Sequence, residues 1–208
     1  MTMNKIITIS REFGSGGREL GKRLAEELRV AYYDREIVTA IAHRSDLAED
    51  YVGQILENRI MTYYPITVAS SFAAMPPTDT LQYVNHGIYN AQNEIILELG
   101  QKSDCVIVGR CADYILEDYN PFNIFVYADM ESRMARCRAK GGKDASLSDK
   151  ELAKKIQSID KARAQYYRFY SGRNWGDKSN YDLCINTSGR SIEKLAKAIA
   201  YTITNANE

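Results

Sequence analysis

Residues Lys5–Arg18 read KIITISREFGSGGR, and they are the most informative part of the sequence for the fold. Its first half is a short run rich in β-branched residues, which is typical of a buried strand, and the glycines that follow indicate a turn. After the turn, Leu20, Leu24 and Leu28 recur at the spacing of one helix face. The stretch therefore predicts a strand, a glycine-rich turn and a helix, in that order.

Four further apolar segments have the length and composition of strands buried in a sheet. They are Ala31–Tyr33, Asp104–Gly109, Phe122–Ala128 and Tyr181–Asn186. Amphipathic segments between and after them predict helices from Arg35, from Asp79 to Gly100, after Asp129, from Ser146 to Tyr170, and from Ile192. Strands that alternate with helices predict an α/β fold of three layers, in which helices flank a five-stranded, mainly parallel sheet.

The composition is that of an ordinary globular chain. The 208 residues carry 27 Lys and Arg against 27 Asp and Glu, and 45% of them are hydrophobic. A formal charge of zero disfavours binding to nucleic acid polymers through a general positive field, but it allows a local cationic cleft. No segment approaches the roughly 18 apolar residues of a membrane span, and the first residues lack the pattern of a secretory signal. We therefore expect a cytoplasmic protein that binds neither nucleic acid polymers nor membranes.

The cysteines and histidines do not predict a disulfide framework or a metal centre. The four cysteines, Cys105, Cys111, Cys137 and Cys184, include no CxxC pair and lie in segments of regular pattern. Such cysteines are typical of reduced, packed thiols. The two histidines are far apart along the chain and have no clustered cysteines beside them, so no protein-bound metal site is expected.

The glycine-rich turn is the strongest candidate for a binding site. Residues Gly14–Gly17 would present successive backbone N–H groups at the positive end of the following helix, an arrangement that binds phosphate. In parallel sheets, ligands bind beyond the carboxyl ends of the strands. That rule brings the turn into one cleft with Asp34–Arg35, Gly109–Asp113 and the segment after Ala128.

Two kinds of phosphate site compete for this turn. A dinucleotide site begins G-x-G-x-x-G with an acidic residue about 20 positions later. Gly14, Gly16 and Asp34 fit that pattern, but Glu19 stands at the position of its last glycine. A P-loop places several residues between its strand and its helix, as this chain does. The P-loop is therefore favoured, and a dinucleotide-dependent oxidoreductase is the weaker alternative.

The P-loop is nevertheless irregular. In the pattern G-x-x-x-x-G-K-[ST], Arg11 stands at the first glycine, Gly17 at the lysine and Arg18 at the serine or threonine. The usual cation for the β- and γ-phosphates and the hydroxyl that binds Mg²⁺ are absent from those positions. Arg18 can supply the charge, because a guanidinium binds phosphate through two hydrogen bonds. The same irregularity leaves open a nucleotide-binding protein without kinase turnover.

Three blocks of sequence carry a family resemblance: Ile7–Arg18, Tyr32–Asp34 and Val106–Leu116. Together they resemble the cytidylate kinase-like family, a branch of the P-loop nucleoside monophosphate kinases, over nearly the whole chain. The resemblance implies one P-loop domain over 1–208, with a monophosphate-binding region at about 34–102 and a lid at about 136–170. It further implies phosphoryl transfer from ATP to CMP or dCMP with Mg²⁺. The segment Thr62–Pro77 has no clear period and is interpreted as an irregular insertion or connector.

The resemblance also assigns roles to individual residues. ATP phosphates would be bound by Arg11, Gly14, Ser15, Gly16, Gly17 and Arg18. The acceptor would be bound by Asp34, Arg35, Arg110 and Asp113. Catalytic charge would come from Arg18, Arg136 and Arg163, because phosphoryl transfer depends on positioning and on positive charge around the transferred group.

Two positions depart from the pattern of true cytidylate kinases. Cys111 replaces the aspartate that follows the arginine of the Gly-Arg-Asp motif. After the second strand the chain reads Asp34-Arg35-Glu36-Ile37-Val38, where true cytidylate kinases carry a Thr-Gly-Ala-x-Tyr-Arg signature. Both departures concern the acceptor and leave the predicted fold unaffected.

Overall fold

The sheet has five parallel strands. In the computed structural model, which describes residues 4–50, 52–53 and 78–205, they are β1 Ile6–Arg11, β2 Ala31–Tyr33, β3 Cys105–Val108, β4 Phe122–Tyr127 and β5 Leu183–Asn186. Their order across the sheet is β2-β3-β1-β4-β5. Ile9 lies opposite Val108, and Arg11 lies opposite Val126. The predicted parallel α/β sheet is confirmed, with strand ends that differ from the prediction by one or two residues.

Helices cover both faces of this sheet. Numbered along the described residues, they are α1 Gly17–Leu28, α2 Arg35–Ser45, α3 Thr78–Lys102, α4 Ala112–Ile115, α5 Met130–Ala139, α6 Asp149–Ser171 and α7 Ile192–Asn205. One hydrophobic core joins α1 and α7 to the sheet, and a second core joins α2, α3 and α4 to it. The predicted three-layer arrangement is therefore confirmed.

Side chains of β1 alternate between the two cores. Ile7 and Ile9 belong to the core under α1 and α7, whereas Ile6 belongs to the core under α2 and α3. This alternation follows from the two-residue period of a strand. Because both faces of β1 are covered, its polar side chains Thr8 and Ser10 are buried as well as its isoleucines.

Helices α5 and α6 share a small hydrophobic cluster of their own. Cys137 of α5 packs with Leu152 and Ile156 of α6 in a separate hydrophobic cluster. Helix α6 begins at Asp149, three residues later than predicted, because Ser148 caps it: its hydroxyl accepts a hydrogen bond from the Glu151 N–H in a capping box. A side-chain cap therefore fixes where this helix starts.

Some predictions fall partly or wholly outside the described residues. The segment Thr62–Pro77 lies outside the described residues, and so does the middle of the predicted monophosphate-binding region. Among the cysteines, Cys105, Cys111 and Cys137 are buried and free, but Cys184 is exposed on the edge strand β5, so the prediction of a packed thiol is wrong there. Over the described ranges, every helix is too short or too polar to cross a bilayer.

Candidate functional site

The loop between β1 and α1 has the geometry of an anion site. Gly14 and Gly16 have φ angles of 79° and 85°, in the left-handed region that glycine enters without a Cβ penalty. Gly16 is the N-cap of α1, and no side chain caps this end of the helix. The first-turn N–H groups of a helix have no intrahelical partner and carry the positive end of the helix dipole. They therefore face the cleft as hydrogen-bond donors to an anion.

Arg136 and Thr187 hold this loop in place. Arg136 Nη1 donates hydrogen bonds to the carbonyl oxygens of Ser15 at 3.2 Å and Gly14 at 3.5 Å. The Thr187 hydroxyl donates to the same Ser15 oxygen at 2.6 Å. Arg136 also donates to Thr187 Oγ1 at 3.1 Å. The observed contacts of Arg136 thus shape the loop, and its catalytic role stays a prediction.

We expect Thr187→Val to lower the free energy of unfolding by about 1–2 kcal/mol, because the Ser15 oxygen and Arg136 lose a buried hydrogen-bond partner. Thr187 is completely buried. Chemical denaturation of the two proteins measures the difference. Thr202→Val is the matched control, since the exposed Thr202 hydroxyl bonds only within α7, to the Ala198 oxygen. Equal losses in the two variants would contradict a loop-holding role for Thr187.

A buried ion-pair cluster supports the base of the loop. Arg133 pairs with Glu12 at 3.2 Å and with Asp160, and its Nε donates to the Phe13 oxygen at 2.7 Å. Asp160 accepts the Phe13 N–H at 2.8 Å. Sequence reasoning does not find this cluster, because Arg133 and Asp160 lie on different helices and each fits the polar face of its own helix.

Arg11 lies across the floor of the cleft. A Cβ placed on Gly17 would come within 2.5 Å of Arg11 Cβ, and one placed on Gly109 would overlap Arg11 Nη1. The side chain therefore fills the space beside Gly17 and extends to the end of β3, where its guanidinium lies 3.9 Å from Asp34. Burial, followed by the charge of Arg163, lowers the pKa of Arg11 to about 9, so Arg11 stays charged at neutral pH.

Asp34 brings together two of the predicted site residues. It is buried at the end of β2, and it pairs with Arg18 Nε at 2.5 Å as well as with Arg11. A cavity of about 420 Å³ opens beside this pair, and its lining includes Arg35, Tyr32 and Lys140. The volume lies in the range of small-molecule sites. Predicted residues Arg18, Asp34 and Arg35 therefore share one cavity.

Two further predicted residues, Arg110 and Asp113, lie after the end of β3, whereas Arg163 lies on α6. The Arg110 oxygen accepts a hydrogen bond from the Gln92 amide at 3.0 Å, and Tyr166 donates its hydroxyl proton to Gln92 Oε1 at 3.1 Å. Asp113 accepts a hydrogen bond from the Tyr167 hydroxyl at 2.6 Å. Burial raises the pKa of Asp113. Asp113 is thus hydrogen-bonded to Tyr167 of α6, and the acceptor-binding role of Asp113 stays a prediction.

The chain offers no dedicated Mg²⁺ site within its described parts. There, no group of three or more His, Cys, Asp or Glu residues could hold a metal ion, and Arg18 occupies the position of the usual loop hydroxyl. Proteins ordinarily hold Mg²⁺ through one or two carboxylates, waters and substrate phosphates. Asp34 is a carboxylate at the cleft, but it is paired with two arginines. Any Mg²⁺ at this site would therefore depend mainly on the phosphates of its nucleotide.

The sheet order and the loop together define the class of protein. A dinucleotide-binding sheet has the order 3-2-1-4-5-6, whereas here β3 lies between β2 and β1. The dinucleotide alternative therefore loses its support from the fold. This chain instead has a glycine-rich loop between β1 and α1 and arginines around the carboxyl ends of the strands. These are the features of a P-loop kinase-like protein.

Comparison of the sequence with family profiles gives the family. The profile of the cytidylate kinase-like family matches residues 6–189, and the chain belongs to that family. A search among curated proteins found no match.

Solved structures share the fold. An uncharacterised protein from Eubacterium ventriosum aligns with a TM-score of 0.69 and 25% identity, over 97% of this chain and 99% of that one. The shikimate kinase of Bacteroides thetaiotaomicron aligns with a TM-score of 0.58 and 16% identity, over 96% of this chain and 98% of that one. The shikimate kinase of Acinetobacter baumannii, in complex with shikimate, aligns with a TM-score of 0.55 and 16% identity, over 100% of this chain and 96% of that one. The fold is therefore that of P-loop kinases.

Proposed function

We propose that this protein transfers a phosphoryl group from ATP to a nucleoside monophosphate, with CMP or dCMP as the acceptor and Mg²⁺ accompanying ATP. The observation that carries the proposal is a cluster of four arginines at the cleft: Arg11, Arg110 and Arg163 line one small cavity, and Arg11 shares Asp34 with Arg18. Such a cluster suits a transition state whose negative charge is spread over three phosphoryl oxygens. Membership of the cytidylate kinase-like family supports the nucleotide acceptor.

In this proposal the residues act by placement and charge. The first turn of α1 and the Gly14–Gly17 loop bind the donor phosphates, and the 420 Å³ cavity beside Asp34 receives the acceptor. Arg18 lies between the two, because it belongs to α1 and is paired with Asp34. Helices α5 and α6 carry Arg136 and Arg163 and correspond to the lid proposed for residues 136–170. Its closure would exclude water from the reaction.

We expect ADP to form from ATP and Mg²⁺ faster with CMP or dCMP than with UMP or AMP, as measured by a coupled assay. Arg18→Met should lower kcat by about 100-fold, the usual effect of removing one charge-stabilising donor. Arg23→Met is the matched control, because Arg23 lies on the same helix and is as exposed as Arg18, but it pairs with Glu19 instead of Asp34.

Two outcomes would count against the proposal at different levels. If no ADP forms with any of these acceptors or with shikimate, phosphoryl transfer to a small acceptor is wrong. If ADP forms with shikimate alone, phosphoryl transfer stands and the nucleotide acceptor is wrong.

A nucleotide-binding protein without kinase turnover is the second candidate. It is favoured by Gly17 at the lysine position and by the pairing of Arg18 with Asp34 at 2.5 Å. Calorimetry distinguishes the two candidates. ATP binding that survives Arg18→Ala, together with no turnover in the wild-type protein, would support the second.

We also propose that the protein works in the cytoplasm with small nucleotides as partners. Four free cysteines are in keeping with a reducing compartment, where disulfides are rare. The predicted lack of nucleic acid and membrane partners belongs to the same proposal.

A further inference from the structure

A buried glutamine contacts the turn after β3 from behind the cleft. Gln92 lies on α3 and is fully buried. Its Nε2 donates a hydrogen bond to the Arg110 carbonyl oxygen at 3.0 Å, and its Oε1 accepts one from the Tyr166 hydroxyl at 3.1 Å. A buried amide needs such partners, because leaving its polar atoms unsatisfied would destabilise the fold. The amide of Gln92 therefore joins α6 to the backbone of Arg110.

The hydrogen-bond partners fix the orientation of the Gln92 amide. A carbonyl oxygen only accepts hydrogen bonds, so the NH₂ group of Gln92 faces Arg110 and its Oε1 faces Tyr166. The Tyr166 hydroxyl is then the donor. Burial raises the pKa of Tyr166 well above its ordinary value, so this hydroxyl keeps its proton at neutral pH. The three groups thus form a directed chain of hydrogen bonds from Tyr166 through Gln92 to Arg110.

The backbone at the end of this chain is strained. Gly109, Arg110 and Cys111 have φ angles of 76°, 65° and 53°, and the left-handed region is unfavourable for residues other than glycine. Such a conformation persists only where the surrounding structure enforces it. Because a peptide unit rotates as one plane, a hydrogen bond to the Arg110 oxygen restricts both ψ of Arg110 and φ of Cys111. Gln92 therefore opposes relaxation of this turn.

The same turn directs the side chain of Arg110. Arg110 lines the small cavity together with Arg11 and Arg163, whereas Gln92 is not among the described residues that line it. Since the direction of a side chain follows from the backbone that carries it, a relaxed turn would point the Arg110 guanidinium elsewhere. Gln92 therefore acts on the cleft through the residues that it contacts.

A pair of stacked rings lies beside the hydrogen-bond chain. The ring centroids of Tyr89 and Tyr170 are 3.7 Å apart, with 8° between the ring planes. Tyr89 precedes Gln92 by three positions on α3, and Tyr170 follows Tyr166 by four positions on α6. Residues at these spacings are neighbours on one helix face. Helices α3 and α6 are therefore in contact over two adjacent turns, which keeps Gln92 and Tyr166 within hydrogen-bond distance.

We propose that Gln92 is a positioning residue for Arg110, that Tyr166 holds Gln92 in place, and that this chain aims the Arg110 guanidinium at the acceptor. The acceptor-binding role of Arg110 rests on the proposed function, whereas the restraint on the turn does not. Each part has its own measurement.

Hydrogen exchange tests the restraint on the turn. Methionine has nearly the length of glutamine but no amide, so Gln92→Met should speed amide exchange across residues 109–113 by about three- to tenfold, the equivalent of one hydrogen bond. Gln101→Met is the matched control, because Gln101 lies on the same helix and its amide donates to the Tyr119 hydroxyl at the exposed surface. Unchanged exchange in this turn, or equal changes in the two variants, would overturn the proposal.

Steady-state kinetics tests the effect on the acceptor. Gln92→Met should raise the KM for CMP about three- to tenfold and change the KM for ATP by less than about twofold. A purely structural role would reduce the active fraction and leave both KM values unchanged. Tyr166→Phe should act in the same direction as Gln92→Met. The double variant should have the KM of Gln92→Met, because the hydroxyl acts through the amide.

The wild-type protein separates this inference from the proposed function. If the wild-type protein forms no ADP with any acceptor, the proposed function is wrong and the acceptor role of Arg110 is wrong with it. If the wild-type protein phosphorylates CMP but Gln92→Met leaves the KM for CMP unchanged, only the positioning role is wrong. If Gln92→Met fails to fold, Tyr166→Phe serves for both measurements, because it keeps the ring and removes only the hydroxyl.

Discussion

Replacing Arg133 by methionine will lower the free energy of unfolding by about 3–5 kcal/mol, the usual cost of breaking a buried ion pair from one side. The Arg133 side chain is 7% exposed, and it pairs with both Glu12 and Asp160. Without it, Glu12 loses the paired guanidinium, and Asp160 keeps Arg163 at 3.9 Å as a more distant partner. Since Asp160 also holds the Phe13 N–H, the donor loop should loosen and the KM for ATP should rise.

Arg138 offers a control on the same helix. Arg138 pairs with Asp149, but both are much more exposed, at 36% and 82% of their side-chain surface. Arg138→Met should therefore lower the free energy of unfolding by at most about 1 kcal/mol, as is usual when a surface ion pair is lost. Urea denaturation of the three proteins measures both values. Similar losses in the two variants would show that the Arg133 cluster does not differ from a surface ion pair.

Restoring the usual P-loop lysine by Gly17→Lys will impair the protein rather than improve it. A Cβ at position 17 meets Arg11 Cβ at 2.5 Å and Val126 Cβ at 3.3 Å. Overpacking of this kind lowers the free energy of unfolding by about 1–3 kcal/mol. Displacing Arg11 would also disturb the arginine cluster, so we expect ATP affinity to fall at least about tenfold, the equivalent of one charge-assisted hydrogen bond.

The double variant Arg11→Gly, Gly17→Lys tests the cause of that loss. It restores two of the three missing consensus residues of the P-loop, leaving Arg18 in place, and it removes the side chain that collides with the lysine. Thermal unfolding and ATP calorimetry should show the double variant to be more stable and to bind ATP more tightly than Gly17→Lys alone. Gly87→Lys is the control, because a Cβ at Gly87 meets nothing within 4 Å. A fully stable, more active Gly17→Lys variant would contradict the steric argument.

The fold could be predicted from the sequence because its signals are local. The β1 run, the glycine-rich turn and the stripe of Leu20, Leu24 and Leu28 each fit the period of one element, and alternation of strands with helices specifies a parallel sheet. The start of α6 was missed because the Ser148 cap interrupts an amphipathic pattern that begins earlier. The family resemblance rests on the same blocks and is confirmed by the family match.

The candidate site could be predicted less completely, because its contacts join distant parts of the chain. The sequence brings Arg18, Asp34 and Arg110 to the correct edge of the sheet, since all three follow or adjoin strand ends. It does not show that Arg136 hydrogen-bonds with Thr187, 51 positions away, or that Arg11 fills the space beside Gly17. These contacts depend on side-chain direction across separate elements, which no periodicity encodes.

Helix α6 connects the two halves of the cleft. Asp160 holds the β1–α1 loop at Phe13, and Tyr167 holds the β3–α4 connection at Asp113. The two residues are seven positions apart, so they lie on one face of the helix about 10 Å from each other along its axis. A helix of this length keeps such a spacing rigidly. Helix α6 therefore sets the distance between the β1–α1 loop and the β3–α4 connection, and any motion that withdraws the helix releases both segments at once.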